Sequence, residues 1–403
     1  MPAYLQELRA QWRPLLAAVI GLSSGYSITS YITSIMAPHL LREFGWSKAE
    51  FAAVGSLTLV CVLVFPFIGR LTDVVGVRRT AFVGVIACPV GYGLLSRMNG
   101  DIRVYIALFV AMGLICITTT ATVYSRVVVQ HVVHARGVAL AIVASGPAAM
   151  GVLAAPLLNQ YVEAQGWRAG YVLVAVVSAL LGGLALVLMP SEKRGGGAGV
   201  TRRAAREDYP AIFRNRAFWV LAGAMLLCNL PQIIALTQLN LMLLDKGVGA
   251  GGIAVMISAF ASGTLAGRFA CGLALDRLPA HLVAFAAMAL SSVGLFVMAS
   301  PLSSPAIVAL GVVLIGLTIG AEGDLISYLV ARAFGVQVYS TVMGMMTAII
   351  AGAASTGAII LSLTLRGGGS FGPFLTFCGV AVLAGAILLL FMPNRPPGEP
   401  VPA

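Results

Sequence analysis

The chain has 403 residues, 59% of them hydrophobic and 10% charged, with 25 Lys and Arg against 14 Asp and Glu, whereas a water-soluble domain carries about a quarter charged residues. That shortage excludes a soluble multidomain enzyme, a disulfide-stapled secreted scaffold and a disordered chain, and it points to a polytopic membrane protein. The net charge of +11 falls in short loops between apolar runs, so it reports orientation in a bilayer rather than binding to nucleic acid.

In chain order, Met1 to Arg13 is polar and amphipathic and has no small-residue cleavage site after an apolar core. The first apolar run is therefore expected to serve as an uncleaved insertion signal. Apolar runs fall at about 14–36, 49–71, 80–98, 103–125, 137–160 and 168–189, and again at about 217–243, 252–275, 281–299, 304–330, 340–364 and 372–392. A span needs roughly 20 apolar residues, and continuous runs of that length are helices, because a membrane barrel shows alternating segments of about ten. Between the two sets lies the hydrophilic stretch Pro190 to Arg216, which contains Gly195-Gly196-Gly197 and reads as a flexible linker. The expected organisation is an all-α membrane protein with twelve transmembrane helices in two pseudo-symmetric six-helix bundles, residues 1–189 and 217–403, joined by a cytoplasmic linker, 190–216.

Numbering the loops alternately puts 17 of the 25 Lys and Arg on the side shared by both termini and 7 on the other, with Arg268 inside the eighth span. By the positive-inside rule both termini are cytoplasmic. The six cysteines lie inside apolar runs with no C-x-x-C pair and read as small buried hydrophobes. The two halves also echo each other: Gly69-Arg70-Leu71-Thr72-Asp73 returns as Gly272-Leu273-Ala274-Leu275-Asp276 at an offset of 203 residues, and Arg126 is matched by Arg332 at 206. Half-length repetition of this kind marks a duplicated transporter fold.

The stretch Gly69 to Arg79 puts a carboxylate, two glycines and paired arginines in one cytoplasmic turn. Glycines let two helix ends approach closely, and Asp73 can cap a helix start or pair with an arginine. This stretch closely resembles the signature loop between helices two and three of the major facilitator superfamily. The resemblance implies the major facilitator fold and a gating latch built from Gly69, Asp73, Gly76, Arg78 and Arg79, with Asp276 in the repeated motif and Arg136 opening helix five. Pro38 to Ser47 after helix one, Arg136-Gly137, Ser145-Gly146-Pro147 with Gly151, and Gly166-Trp167-Arg168 resemble the monocarboxylate porter and oxalate:formate antiporter branch.

Arg268 is the most informative residue, since a mid-membrane cation normally faces a water-filled cavity or an anionic partner. A guanidinium holds a carboxylate by two parallel hydrogen bonds. In Ala266-Gly267-Arg268-Phe269 it resembles the helix-eight arginine that binds substrate carboxylate in monocarboxylate porters; an internal salt bridge to Asp324 or Glu322 is the other reading. The chain departs from the animal porters at Thr264, where they carry Asp, and from oxalate transporters in lacking a lysine between Ser340 and Leu365. With one cavity cation a dianion is poorly neutralised, so a substrate with one carboxylate is favoured.

Glu322 and Asp324 are the only acids deep in a span and are the expected proton-coupling residues. At about 100° per residue they point roughly 200° apart, and Asp324, sharing its face with Tyr328, is expected toward the cavity. Pairing of Glu322 with Arg332 or the end of helix eleven stays open. In the superfamily it resembles, helices one, four and seven line the pathway, which makes Tyr31, Tyr124, Asn229 and Gln232, together with Tyr328, expected substrate contacts, with helix-to-helix hydrogen bonding as the alternative.

No histidine shows metal-ligand spacing and no G-x-x-x-x-G-K-S/T loop occurs, so neither metal, cofactor nor direct ATP drive is expected. The expectation is a non-enzymatic secondary transporter of a bacterial inner membrane. It is expected to be a monomer that imports a small monocarboxylate or related organic anion by proton symport. A drug or metabolite efflux antiporter and a non-transporting membrane sensor are the alternatives.

Overall fold

The computed structural model describes residues 2–46, 51, 62–190, 205–234, 238–368 and 370–393. These are helical, with no strand among them. In order they form α1 (Pro2–Ala10), α2 (Trp12–Ser24), α3 (Thr29–Phe44), α4 (Phe65–Val75), α5 (Val77–Leu95), α6 (Ile102–Cys116), α7 (Ala121–His131), α8 (Arg136–Gln165), α9 (Trp167–Leu188), α10 (Ala205–Arg214), α11 (Arg216–Cys228), α12 (Leu239–Asp245), α13 (Ala250–Leu275), α14 (Ala280–Ala299), α15 (Pro305–Phe334), α16 (Tyr339–Gly368) and α17 (Gly372–Leu389). Eight described helices are long and apolar enough to cross a membrane, or ten when two bent pairs each count as one span. The helix α5 stands where the third span is expected. Most of the expected second span, 49–71, and most of the linker, 190–216, lie outside the described residues.

The chain divides into two compact units, one of Met1–Ala135, Ile142–Arg202 and Val336–Met345, the other of Arg136–Ala141, Arg203–Gly335 and Met346–Ala403. In the first, α9 packs on α5 and α2, over a core that includes Met36, Leu40, Tyr92, Tyr105 and Trp167. In the second, α13 packs on α15 and α14 on α17, around Met242, Leu295, Val312 and Phe374. Large apolar side chains such as Val152, Leu180 and Val187 are exposed, as helices facing hydrocarbon require.

Three spans expected as continuous helices are interrupted, and local chemistry explains each. The first bends by 46° at Gly25. There the freed backbone groups find side chains: Tyr26 N–H donates to Thr119 Oγ1 at 2.9 Å, and the Ser24 carbonyl accepts from Ser178 at 2.8 Å. The fourth breaks at Ile117–Thr119, a 3₁₀ turn. Thr118, Thr119 and Thr120 each donate to the carbonyl three residues back, at 2.8, 2.6 and 2.7 Å, a local bond that competes with the helix ladder. In the seventh, α11 ends at Cys228 and a turn at 229–231 follows before helical backbone resumes at Gln232. Pro231, which lacks an N–H and clashes with the preceding turn, accounts for that stop.

Candidate functional site

In the second unit α13 and α15 meet backbone to backbone. A methyl group on Gly267 would strike the Leu317 carbonyl, and one on Gly320 the Thr264 carbonyl. This close approach sets Arg268 beside Asp324, with Arg268 Nε 3.8 Å from Asp324 Oδ2 and side-chain exposures of 19% and 2%. The separation is an ion-pair contact, longer than a hydrogen bond, and Asp324 Oδ2 makes no hydrogen bond among the described residues. Two turns of α15 continue the same polar face: Tyr328 is buried, and Arg332 donates to its hydroxyl at 3.3 Å.

Glu322 is half-buried and makes no ion pair among the described residues, so the pairing with Arg332 left open from the sequence is not formed there. Asn229 is buried, donates from Nδ2 to the Met225 carbonyl at 2.9 Å, and leaves Oδ1 with no hydrogen-bond partner among the described residues. Gln232 follows, half-buried, where helical backbone resumes.

The other expected substrate contacts lie in the first unit. Tyr124 is fully buried, packs on Gly21, and its hydroxyl has no hydrogen-bond partner among the described residues. Tyr31 is exposed and lines an apolar cavity of about 380 Å³ together with Ser24, Gly151, Tyr161 and Ser178.

The gating residues form two carboxylate clamps. Asp73, its side chain 1% exposed, accepts from the backbone of Ser340 at 3.0 Å and Thr341 at 2.6 Å and from the Thr341 hydroxyl at 2.6 Å, and pairs with Arg126. It thereby caps the start of α16, where a carboxylate complements the helix dipole. Gly69 lies against the Ser340 carbonyl, leaving no space for a side chain, and Gly76 has φ +98°, a conformation that favours glycine. The sequence implied Arg78 and Arg79 as partners of Asp73. Both are exposed and make no ion pair among the described residues, and the cation that reaches Asp73 is Arg126, from α7. Tyr339 donates to Ser125 at 2.9 Å beside this pair.

In the second clamp Asp276 accepts from Gly137 N–H at 2.7 Å and Val138 N–H at 3.1 Å at the start of α8, next to the buried Arg136. A further cap was missed in the sequence. Glu7 of α1 accepts from the backbone of Val133, His134 and Ala135 at 2.8, 3.0 and 2.8 Å. Its only sequence signal was a lone acid in a basic terminus. On the opposite ends of the helices, two stretches that carried the branch resemblance meet: Trp167 and Arg168 donate to Glu43, Arg168 at 2.6 Å, with the guanidinium 4.2 Å from the Trp167 ring.

A profile of the Major Facilitator Superfamily matches residues 18–348. Among curated sequences, human monocarboxylate transporter 11 is 25% identical over 268 residues, covering 64% of this chain and 56% of that protein. The mouse protein of the same name is 23% identical over 398 residues, covering 94% of this chain and 86% of its own length. Among solved structures, a variant of the E. coli fucose:proton symporter FucP overlays with TM-score 0.73 at 14% identity, covering 95% of this chain and 98% of FucP. FucP in the outward conformation overlays at 0.70 with 15% identity, covering 95% and 99%.

Proposed function

Because the chain belongs to the Major Facilitator Superfamily, a family of membrane transporters rather than enzymes, we propose that it takes up a small monocarboxylate or related organic anion together with a proton. The observation that carries this reading is Arg268, a cation inside a membrane helix, held at ion-pair distance from Asp324. An ion pair at 3.8 Å lacks the hydrogen bonds that a guanidinium offers to a planar acid. A substrate carboxylate that makes them replaces Asp324 at little cost, and the displaced acid then needs a proton or a new partner. Support for the substrate class comes from the monocarboxylate transporters among the relatives, and for the proton from the proton-coupled symporter that shares the fold.

In this proposal residues 1–189 and 217–403 are the two bundles that alternate access, and 190–216 is the linker between them. Arg268 holds the carboxylate. Asn229, Gln232, Tyr328, Tyr31 and Tyr124 supply polar contacts along the path, and Asp324 and Glu322 handle the proton. The clamps at Asp73 and Asp276, with Arg136 beside the second, gate the cytoplasmic side. The reading takes the protein as a monomer of a bacterial inner membrane, and the 17 to 7 division of its cations supports cytoplasmic termini.

Uptake of labelled lactate, pyruvate and benzoate into proteoliposomes, with glucose as a neutral control, tests the assignment. Arg268→Ala is expected to abolish uptake of the acid that the unaltered protein accumulates, and Arg268→Lys, which keeps charge but not the planar fork, to retain a small fraction. Uptake unchanged in both variants removes Arg268 from the substrate site.

A further inference from the structure

We propose that the groove between α13, α14 and α15 binds one anionic phospholipid, with an acyl chain in the groove and the phosphate at Arg277 in the turn between α13 and α14.

The groove follows from how the three helices pack. Gly267 lets α13 press against the Leu317 carbonyl of α15, whereas α13 packs little on α14, its neighbour in the chain. Small residues commonly let membrane helices approach. Here Ala270 and Ala274 on α13 and Ala286 on α14 instead line an open cavity of about 400 Å³. Its lining has no charged, amide or hydroxyl side chain, and its one side-chain heteroatom is the sulfur of the buried Cys271. On α14 the lining runs from Pro279 to Leu290, about 16 Å along the axis. That is half of the roughly 30 Å hydrocarbon thickness, the depth of one leaflet. Leu278, Leu282 and Leu290 are exposed along the edge, so the groove opens on the surrounding hydrocarbon. An apolar slot one leaflet deep suits an acyl chain, whereas a carboxylate would lose its water there and gain no partner.

The charge at the mouth selects the headgroup. Arg277 lies between the lining residues Ala274 and Leu278, is exposed, and makes no ion pair among the described residues. The one acid of the turn, Asp276, is held by the amides of Gly137 and Val138. Beyond the turn, α14 starts at Ala280 without a side-chain cap, where the helix dipole favours negative charge. His281, in that first turn, keeps Nδ1 buried with no hydrogen-bond partner among the described residues; in the Nδ1–H form a phosphate oxygen satisfies it. An anion with several acceptor oxygens is wanted at the end of a slot that wants hydrocarbon, and a phospholipid joins the two. The slot ends at Gly267, so the bound chain backs the contact between α13 and α15 that sets Arg268 beside Asp324.

Native mass spectrometry of the full chain, stripped of lipid in detergent and titrated with phosphatidylglycerol or phosphatidylcholine, tests the site. One phosphatidylglycerol is expected to bind about fivefold more tightly than phosphatidylcholine, the preference that one basic residue confers toward an anionic lipid. Arg277→Ala should remove that preference and Arg277→Lys should keep most of it. Ala270→Leu and Ala286→Leu, one on each helix, should each weaken both lipids, by about fourfold for every methylene kept out of the slot. Either leucine variant keeps the test valid should the other fail to fold. Glycerol phosphate, which has the headgroup charge and no chain, should displace neither lipid. Undiminished binding in both leucine variants overturns the acyl-chain site. Equal binding of the two lipids, or a preference that survives in Arg277→Ala, overturns the headgroup assignment, and displacement by glycerol phosphate shows a plain anion site and overturns the proposal.

Discussion

The two carboxylate clamps are built to one plan and filled differently. Asp73 and Asp276 are 203 residues apart, and so are the amides they hold, Ser340 and Thr341 against Gly137 and Val138. Even the packing glycines obey the offset, Gly69 under the Ser340 carbonyl and Gly272 under that of Gly137. On this shared backbone plan Asp73 adds the Thr341 hydroxyl, whereas the residue at that place in the second clamp is Val138. Duplication copied the backbone geometry, where a change of register loses every bond at once. Side-chain bonds were free to diverge, because each adds a separate increment.

That contrast can be broken by substitution. Asp73→Asn removes the charge that pairs with the buried Arg126, and is expected to destabilise the protein by roughly 3 kcal/mol, the usual cost of breaking a buried pair. Gly69→Ala and Gly272→Ala each drive a methyl into a backbone carbonyl, and both should cost about 2 kcal/mol. A large cost at one and none at the other would show that the backbone plan is not truly shared. Thr341→Val removes the hydroxyl bond that distinguishes the first clamp and should cost about 1 kcal/mol. Glu7→Gln should cost less than about 1 kcal/mol, because the amide keeps an acceptor and loses only the charge. Denaturant titrations in mixed micelles, run in parallel on the variants, rank the series; a Thr341→Val variant as stable as the unaltered protein would erase the asymmetry.

Much of this was legible in the sequence, and the limits have physical causes. Apolar run length located the spans, since burial in hydrocarbon fixes helix length, and Asp73 and Asp276 stood out because charge is scarce. Helix interruptions were not legible from hydropathy: Thr118 to Thr120 and Asn229 keep a span apolar on average while redirecting its backbone bonds. Arg126 was visible as an echo of Arg332, yet nothing along the chain says that its guanidinium crosses to Asp73 in place of Arg78 or Arg79. The pairing of Arg268 with Asp324 could be read only as one of two choices, because it depends on how closely α13 and α15 approach at Gly267 and Gly320.

The stretch Val133 to Val138 has a consequence for solvent exchange. Three of its amides donate to Glu7 and two to Asp276, all at a loop and helix start where no preceding turn supplies acceptors. Loop amides ordinarily trade their hydrogens with water rapidly, whereas these are held by acids remote in sequence. Deuterium uptake at Gly137 and Val138 therefore reports engagement of Asp276, and uptake at Val133 to Ala135 reports the docking of α1. The six-residue segment is a built-in pair of clocks, one for each carboxylate.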